Sequence, residues 1–198
     1  MDDLIKSIYA GFMIGLGGTI YLSMENRVIG AILFSFGLLT IVNQGFYLYT
    51  GKVGYEGKNI PLMANTICGN AIGTFIAAFL MKISEPQLID KVNSIWNNKL
   101  SQPEMVTFIL AILCGIMMYL AVDNYKKNNN LLFLMLPVII FILAGFEHSI
   151  ANLFYMFLSG SINGDSLWYI IICIIGNGFG SRVFHLFKTY QFERVEAK

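Results

Sequence analysis

Gly145-Phe146-Glu147-His148-Ser149-Ile150-Ala151-Asn152 interrupts an otherwise apolar run that extends from residue 131 to residue 158. An ionisable side chain at bilayer depth costs about 3 kcal/mol on insertion scales and usually marks a permeation path. Glu147 and His148 are adjacent, and Gly145 and Asn152, both weak helix formers, flank them. The alternative is a polar pair that only ties helices together. The flanking residues favour a loosened helix beside a path.

Working outward, the composition is that of a membrane protein: 56% of residues are hydrophobic and 13% charged, against about 25% charged in a soluble domain. A formal net charge of +1 leaves no basic surface for nucleic acid. Cys68, Cys114 and Cys173 lie in apolar runs without metal-ligand spacing, and read as small core hydrophobes. The chain has 2 histidines, His148 and His185, and no His-Glu-x-x-His arrangement. Neither a metal, a cofactor nor an enzymatic activity is therefore expected. Met1-Asp2-Asp3 lacks the positive region of a signal peptide, so the first apolar segment should be retained.

Six apolar stretches approach the roughly 20 residues that a crossing needs: 5–23, 28–50, 60–81, 105–122, 131–158 and 166–187. They predict an all-α membrane protein with one channel domain over 1–198. The connectors are short, 51–59 among them. The exception is 82–104, a polar stretch expected to hold a short interfacial helix. Six crossings put both termini on one side, and positive charge selects the cytoplasm. That side would hold Lys6, Lys52, Lys58, Lys126, Lys127, Arg182, Lys188, Arg194 and Lys198, leaving only Arg27, Lys82, Lys91 and Lys99 of the 13 basic residues outside. His185 then reads as an interfacial residue at the end of the last span.

The chain also repeats itself. Gly69-Asn70-Ala71-Ile72-Gly73-Thr74 and Gly176-Asn177-Gly178-Phe179-Gly180-Ser181 share the pattern G-N-x-x-G-[ST], 107 residues apart. Gly45-Phe46 and Gly145-Phe146 lie 100 residues apart. Two halves, about 1–81 and 105–190, are expected, each with three spans. An odd number of spans inserts the second half in the opposite sense. The second and fifth spans carry the internal glycines and polar residues, so both should break at midplane, where free backbone groups must face protein or a water-filled cavity. The glycines of the Gly-Asn motifs read instead as close helix packing.

These residues resemble the formate/nitrite transporter family. Residues 145–154 are similar to its fifth-helix signature, Leu48-Tyr49-Thr50-Gly51 looks like its second-helix loop, and residues 30–38 are also similar. The resemblance runs through all six spans in order. It implies an aquaporin-like fold, a homopentamer with one pore per protomer, and passage of formate, nitrite or hydrosulfide, with protons as co-partners, across a bacterial cytoplasmic membrane. It also implies site roles. Phe34, Leu38 and Phe141 would build an outer constriction, and Leu48, Tyr49 and Met118 an inner one. Thr50 would face the central His148. Lys99, sixteen residues before Gly115, would stand near the central chamber and attract the anion, and Asn152 completes the fifth-helix motif. Gly115 stands where many members have asparagine, which would remove a hydrogen bond toward the lysine-histidine region. Tyr47 replaces a common acidic residue, and Tyr49 a phenylalanine.

An anion cannot cross apolar constrictions cheaply, because leaving water is costly for a charge. The neutral acid avoids most of that cost. The resemblance makes formate the expected substrate, with nitrite and hydrosulfide as rivals and a neutral-solute pore as an alternative of another class. His148 is the candidate donor of a proton or a hydrogen bond. Glu147, about 100° from it around a helix, is expected to face away from the pore and accept hydrogen bonds from backbone freed at the break.

Overall fold

The computed structural model describes residues 2–196, with side chains described to residue 190. Lys198 and the side chain of Arg194, both used in the charge argument, lie outside the described residues. Every regular element among those described is helical: α1 (Asp2–Ser23), α2 (Arg27–Asn43), α3 (Tyr49–Glu56), α4 (Ile60–Ser84), α5 (Leu88–Leu100), α6 (Glu104–Asn128), α7 (Leu131–Leu143), α8 (Ser149–Ser159) and α9 (Gly164–Glu196). Of these, α1, α4, α6 and α9 are long and apolar enough to cross a membrane. The expected second and fifth spans are each split, into α2 with α3 and α7 with α8. With 13 and 11 residues, α7 and α8 extend only about 20 and 16 Å at 1.5 Å per residue, and neither alone covers a hydrocarbon core of about 30 Å.

Both breaks have the same local cause. Gly45 (φ 65°) and Gly145 (φ 73°) sit in the left-handed region, where a side chain would be strained. After each glycine the chain folds back on the helix it leaves. Phe46 N–H donates to Ile41 O at 2.9 Å and Gly45 N–H to Val42 O at 3.3 Å; Phe146 N–H donates to Phe141 O at 2.9 Å and Gly145 N–H to Ile142 O at 3.2 Å. This is the Schellman pattern of helix termination, and it explains the repeated Gly-Phe pair.

One boundary differs from expectation. Residues 51–56 are not a connector, because α3 starts at Tyr49 and runs to Glu56. The motif around Thr50 begins a helix rather than ending one. The polar stretch 82–104 holds a short helix, α5, that packs into the bundle. Within it, α5 buries Val92 and Trp96 completely. The Trp96 indole donates to Ser166 Oγ at 3.3 Å and packs edge-on against Tyr169, with ring centroids 5.4 Å apart. The last turn of α5 thereby carries Lys99 toward the interior.

The long helices pair in matching ways early and late in the chain, α1 against α4 and α6 against α9. A Cβ on Gly11 would run into the carbonyl of Asn70, and one on Gly115 into that of Asn177. Gly73 and Gly180 lie as close to the backbone of Ile8 and Ile112. Close approach of this kind is what small residues permit in membranes, as read for the Gly-Asn motifs.

Candidate functional site

Two cavities approach the middle of the bundle. The larger, about 370 Å³, is lined by Met24, Arg27, Lys99, Phe34, Phe141, His148, Asn152 and Tyr155 among others. The smaller, about 120 Å³, is lined by Leu38, Ile41, Phe46, Leu48, Lys52, Val122 and Lys126. Phe34 and Leu38 are one turn apart on α2, about 6 Å along its axis, yet they line different cavities. An apolar divide therefore separates the two spaces. On one side Phe34 meets Phe141 edge-to-face, with centroids 6.4 Å apart. On the other stand Leu38 and Leu48, both buried.

This distribution alters the expected grouping. Leu38, read as a partner of Phe34 and Phe141, lines the second cavity with Leu48. Tyr49, read as facing the inner space, directs its hydroxyl to Ile174 O on α9 at 3.0 Å. Met118 is buried and lines neither cavity.

His148 lies at the divide, 2% exposed. It is the N-cap of α8: Nδ1 accepts the Ala151 N–H at 3.1 Å. A nitrogen that accepts carries no proton, so in the neutral ring the proton is on Nε2. Nε2 lies 3.0 Å from Thr50 Oγ1 and donates to it, leaving the threonine hydroxyl proton free to point elsewhere. Phe141 stacks on the imidazole, centroids 5.5 Å apart and planes 19° from parallel. The structure thus brings together His148, Thr50 and Phe141 from three different helices or their caps.

Glu147 departs from its expected role. Its carboxylate accepts side chains, not freed backbone: Oε2 takes Lys99 Nζ at 2.5 Å and Asn152 Nδ2 at 2.9 Å. The pair is unequally buried, with the lysine side chain 18% exposed and the glutamate 3%. A charge-assisted hydrogen bond with a lysine is a physical condition for keeping a carboxylate here, since an unpaired buried charge is very costly. Lys99 lines the larger cavity, and its charge is answered by Glu147. Asn152 also lines that cavity and fixes the carboxylate rather than standing free.

Sequence reasoning missed the residues that hold the two breaks open. Asn70 Oδ1 accepts the Tyr49 N–H at 2.9 Å, and its amide donates to Ser7 O at 2.7 Å and Tyr47 O at 2.8 Å. Asn177 Oδ1 accepts the Ser149 N–H at 2.8 Å, and its amide donates to Ala111 O and Glu147 O, both at 2.8 Å. Each asparagine satisfies the first turn of one half-helix and the extended strand before it. The signal was present, a buried asparagine in each G-N-x-x-G-[ST] motif, but the motif was read through its glycines.

Gly115 has a packing role beside the one expected of it. It was expected to mark a missing hydrogen bond toward the lysine-histidine region. In the structure no side chain fits there, because its Cα faces the Asn177 carbonyl across the α6–α9 contact. Polar support in that region comes from Asn177 and Asn152 instead.

Comparison with known proteins gives the family and the fold. Residues 1–190 match the family described as formate/nitrite transporter. Formate channel FocA of Escherichia coli (strain K12) is 29% identical over 153 residues, which is 65% of this chain and 52% of FocA. Nitrite transporter NirC of the same strain is 25% identical over 181 residues, 78% of this chain and 67% of NirC. A solved structure described as a pentameric formate channel with formate bound superposes with a TM-score of 0.82 at 23% identity, over 100% of this chain and 97% of that one. The chain thus aligns with about half the length of FocA, and the likeness to the solved channel is one of fold.

Proposed function

We propose a function on one premise: the chain belongs to the formate/nitrite transporter family. In that reading it is a membrane pore for small monovalent weak-acid anions, formate first among them. The observation that carries it is the placement of His148 and Thr50, bonded at 3.0 Å, on an apolar divide between two cavities. Phe34 and Phe141 narrow one side of the divide, and Leu38 and Leu48 the other. Tyr49 and Met118 support the wall from outside the lumen.

The chemistry follows from what these groups can do. A formate ion entering the larger cavity meets aromatic and aliphatic walls that offer nothing to replace its water, so the charged form stops there. Taking a proton makes it neutral and lowers the cost of crossing. His148 is a poor source for that proton. Its Nδ1 is engaged as the cap of α8, and a proton there would break the cap and place positive charge at a helix N-terminus, where the dipole is already positive. The proton therefore comes from water in the cavity. Thr50, whose hydroxyl proton is freed because neutral His148 donates to its oxygen, supplies a hydrogen bond that the acid would otherwise lose. Lys99, paired with Glu147, draws the anion inward more weakly than a free lysine would, yet it keeps N–H groups for the cavity.

Nitrite is the second reading, favoured by the similarity to NirC, and hydrosulfide a third within the same chemistry. The exposed rings of Phe36, Phe75, Phe79 and Phe179 suit a lipid or subunit-facing surface. With the fold shared by a channel described as pentameric, they support a homopentamer. Both termini are assigned to the cytoplasm on the charge bias. Flux of formate, nitrite, hydrosulfide and urea into proteoliposomes tests the reading. Anion flux that rises as pH falls is expected, and urea flux equal to that of the anions would overturn it.

A further inference from the structure

The two half-helices that meet at His148 and Thr50 are anchored differently at their far ends. α8 closes on itself: Gly160 adopts φ 76°, and its N–H bonds back to Met156 O and Phe157 O. α3 has only 8 residues and ends at Gly57 in an ordinary right-handed conformation, with no such closure. A helix this short is marginal on its own. Its end is held from other elements. Arg182 on α9 donates from Nη1 to Gly54 O at 2.9 Å and to Tyr55 O at 3.5 Å. Tyr55 donates its hydroxyl to Asp123 Oδ1 on α6 at 3.0 Å.

Asp123 is 6% exposed and belongs to a larger cluster. Lys188 on α9 donates to its Oδ2, and Lys127 lies 3.7 Å from the same oxygen. Tyr119 reaches Asp123 Oδ1 at 3.5 Å and His185 Nδ1 at 3.1 Å. A tyrosine hydroxyl has one proton, so it serves one acceptor at a time. With His185 neutral and accepting at Nδ1, Tyr119 donates to the ring. With His185 protonated, the ring donates to Tyr119, whose own proton turns to Asp123. The same event places a cation 5.3 Å from the Tyr55 ring and 5.5 Å from the Tyr119 ring, within cation–π range.

We propose that Tyr55, Tyr119, Asp123 and His185 form a proton-responsive latch on the end of α3, closed when His185 is charged. The groups facing His185 set its balance. Burial, then Arg182 and Lys188 on its own helix, oppose the charge; Asp123 and the two tyrosine rings favour it, and Lys127 acts on it through Asp123. Lys126, over the Tyr55 ring at 4.7 Å, competes for that face. Thr50 lies in the first turn of α3, so a tighter latch fixes Thr50 against His148. This consequence for transport rests on the proposed role of that pair, whereas the latch itself does not.

Amide hydrogen exchange of the full chain in nanodiscs tests the latch. Protection of residues 51–57, corrected for intrinsic rates, should rise about threefold or more between pH 8 and pH 5.5, the scale of one partly buried cation–π contact. His185→Gln should make that profile flat, and Tyr55→Phe should lower protection at every pH. An undiminished pH response in His185→Gln, or unchanged protection in Tyr55→Phe, would overturn the latch. Flux that ignores pH on the α3 side while exchange follows it would support the latch and remove Thr50 from the conduction step.

Discussion

Asn70 and Asn177 occupy equivalent places in the two halves, each accepting the first N–H of a half-helix, Tyr49 at 2.9 Å and Ser149 at 2.8 Å. Each also donates both amide hydrogens to backbone carbonyls. A membrane offers no water to replace these bonds, so the two asparagines make the broken spans tolerable.

Asn177→Asp keeps the shape and loses both donors to Ala111 O and Glu147 O. Each buried acceptor left unsatisfied costs about 1–3 kcal/mol. Thermal unfolding of the purified protein in detergent should shift down clearly, and Asn70→Asp should do the same. A wild-type melting profile for either would refute the role.

Lys99→Gln leaves the Glu147 carboxylate buried without its cation, and breaking such a pair costs about 3–5 kcal/mol. Lys99→Gln combined with Glu147→Gln should be much less destabilised than the single change. Melting in a double-mutant cycle measures this, and additive losses would count against the pair. In liposomes Lys99→Gln should also weaken flux at low substrate more than at saturation.

His148→Asn retains a side chain able to cap α8, while His148→Ala forfeits about 1 kcal/mol of capping. Both lose the Nε2–H aimed at Thr50, and formate flux should fall about tenfold, the scale of one such hydrogen bond. With pH varied only on the side of the larger cavity, wild-type flux should track the neutral acid fraction. A break near pH 6.5, histidine's ordinary range, would show that His148 titrates during transport.

Gly115→Asn would introduce the asparagine that the family resemblance implies at this position. Here its Cβ would strike the Asn177 carbonyl, and overpacking of this kind costs about 1–3 kcal/mol. Reduced yield and a lower melting temperature are expected, with Gly115→Ala behaving alike. A stable Gly115→Asn protein with enhanced flux would disprove the packing account.

The broken spans and the doubled architecture were legible because their causes are local. A left-handed residue after an apolar helix favours glycine, so Gly45-Phe46 and Gly145-Phe146 announced the breaks. The approach of α1 to α4 and of α6 to α9 needs small residues at fixed spacing. The family likeness likewise rests on contiguous residues around 48–51 and 145–154.

Contacts between helices were not legible in this way. Glu147 was expected to face away from the pore and take backbone donors, but the last turn of α5 brings Lys99 to it. Leu38 was grouped with Phe34, one turn away, yet the divide passes between them. His185 was read as interfacial, and α6 supplies it with Tyr119. A sequence fixes which side chains share one helical face, because that depends on 3.6 residues per turn. Which face turns toward which neighbour depends on the rotation and depth of each packed helix. Those are set by all the contacts at once, and here only the tertiary structure decided them.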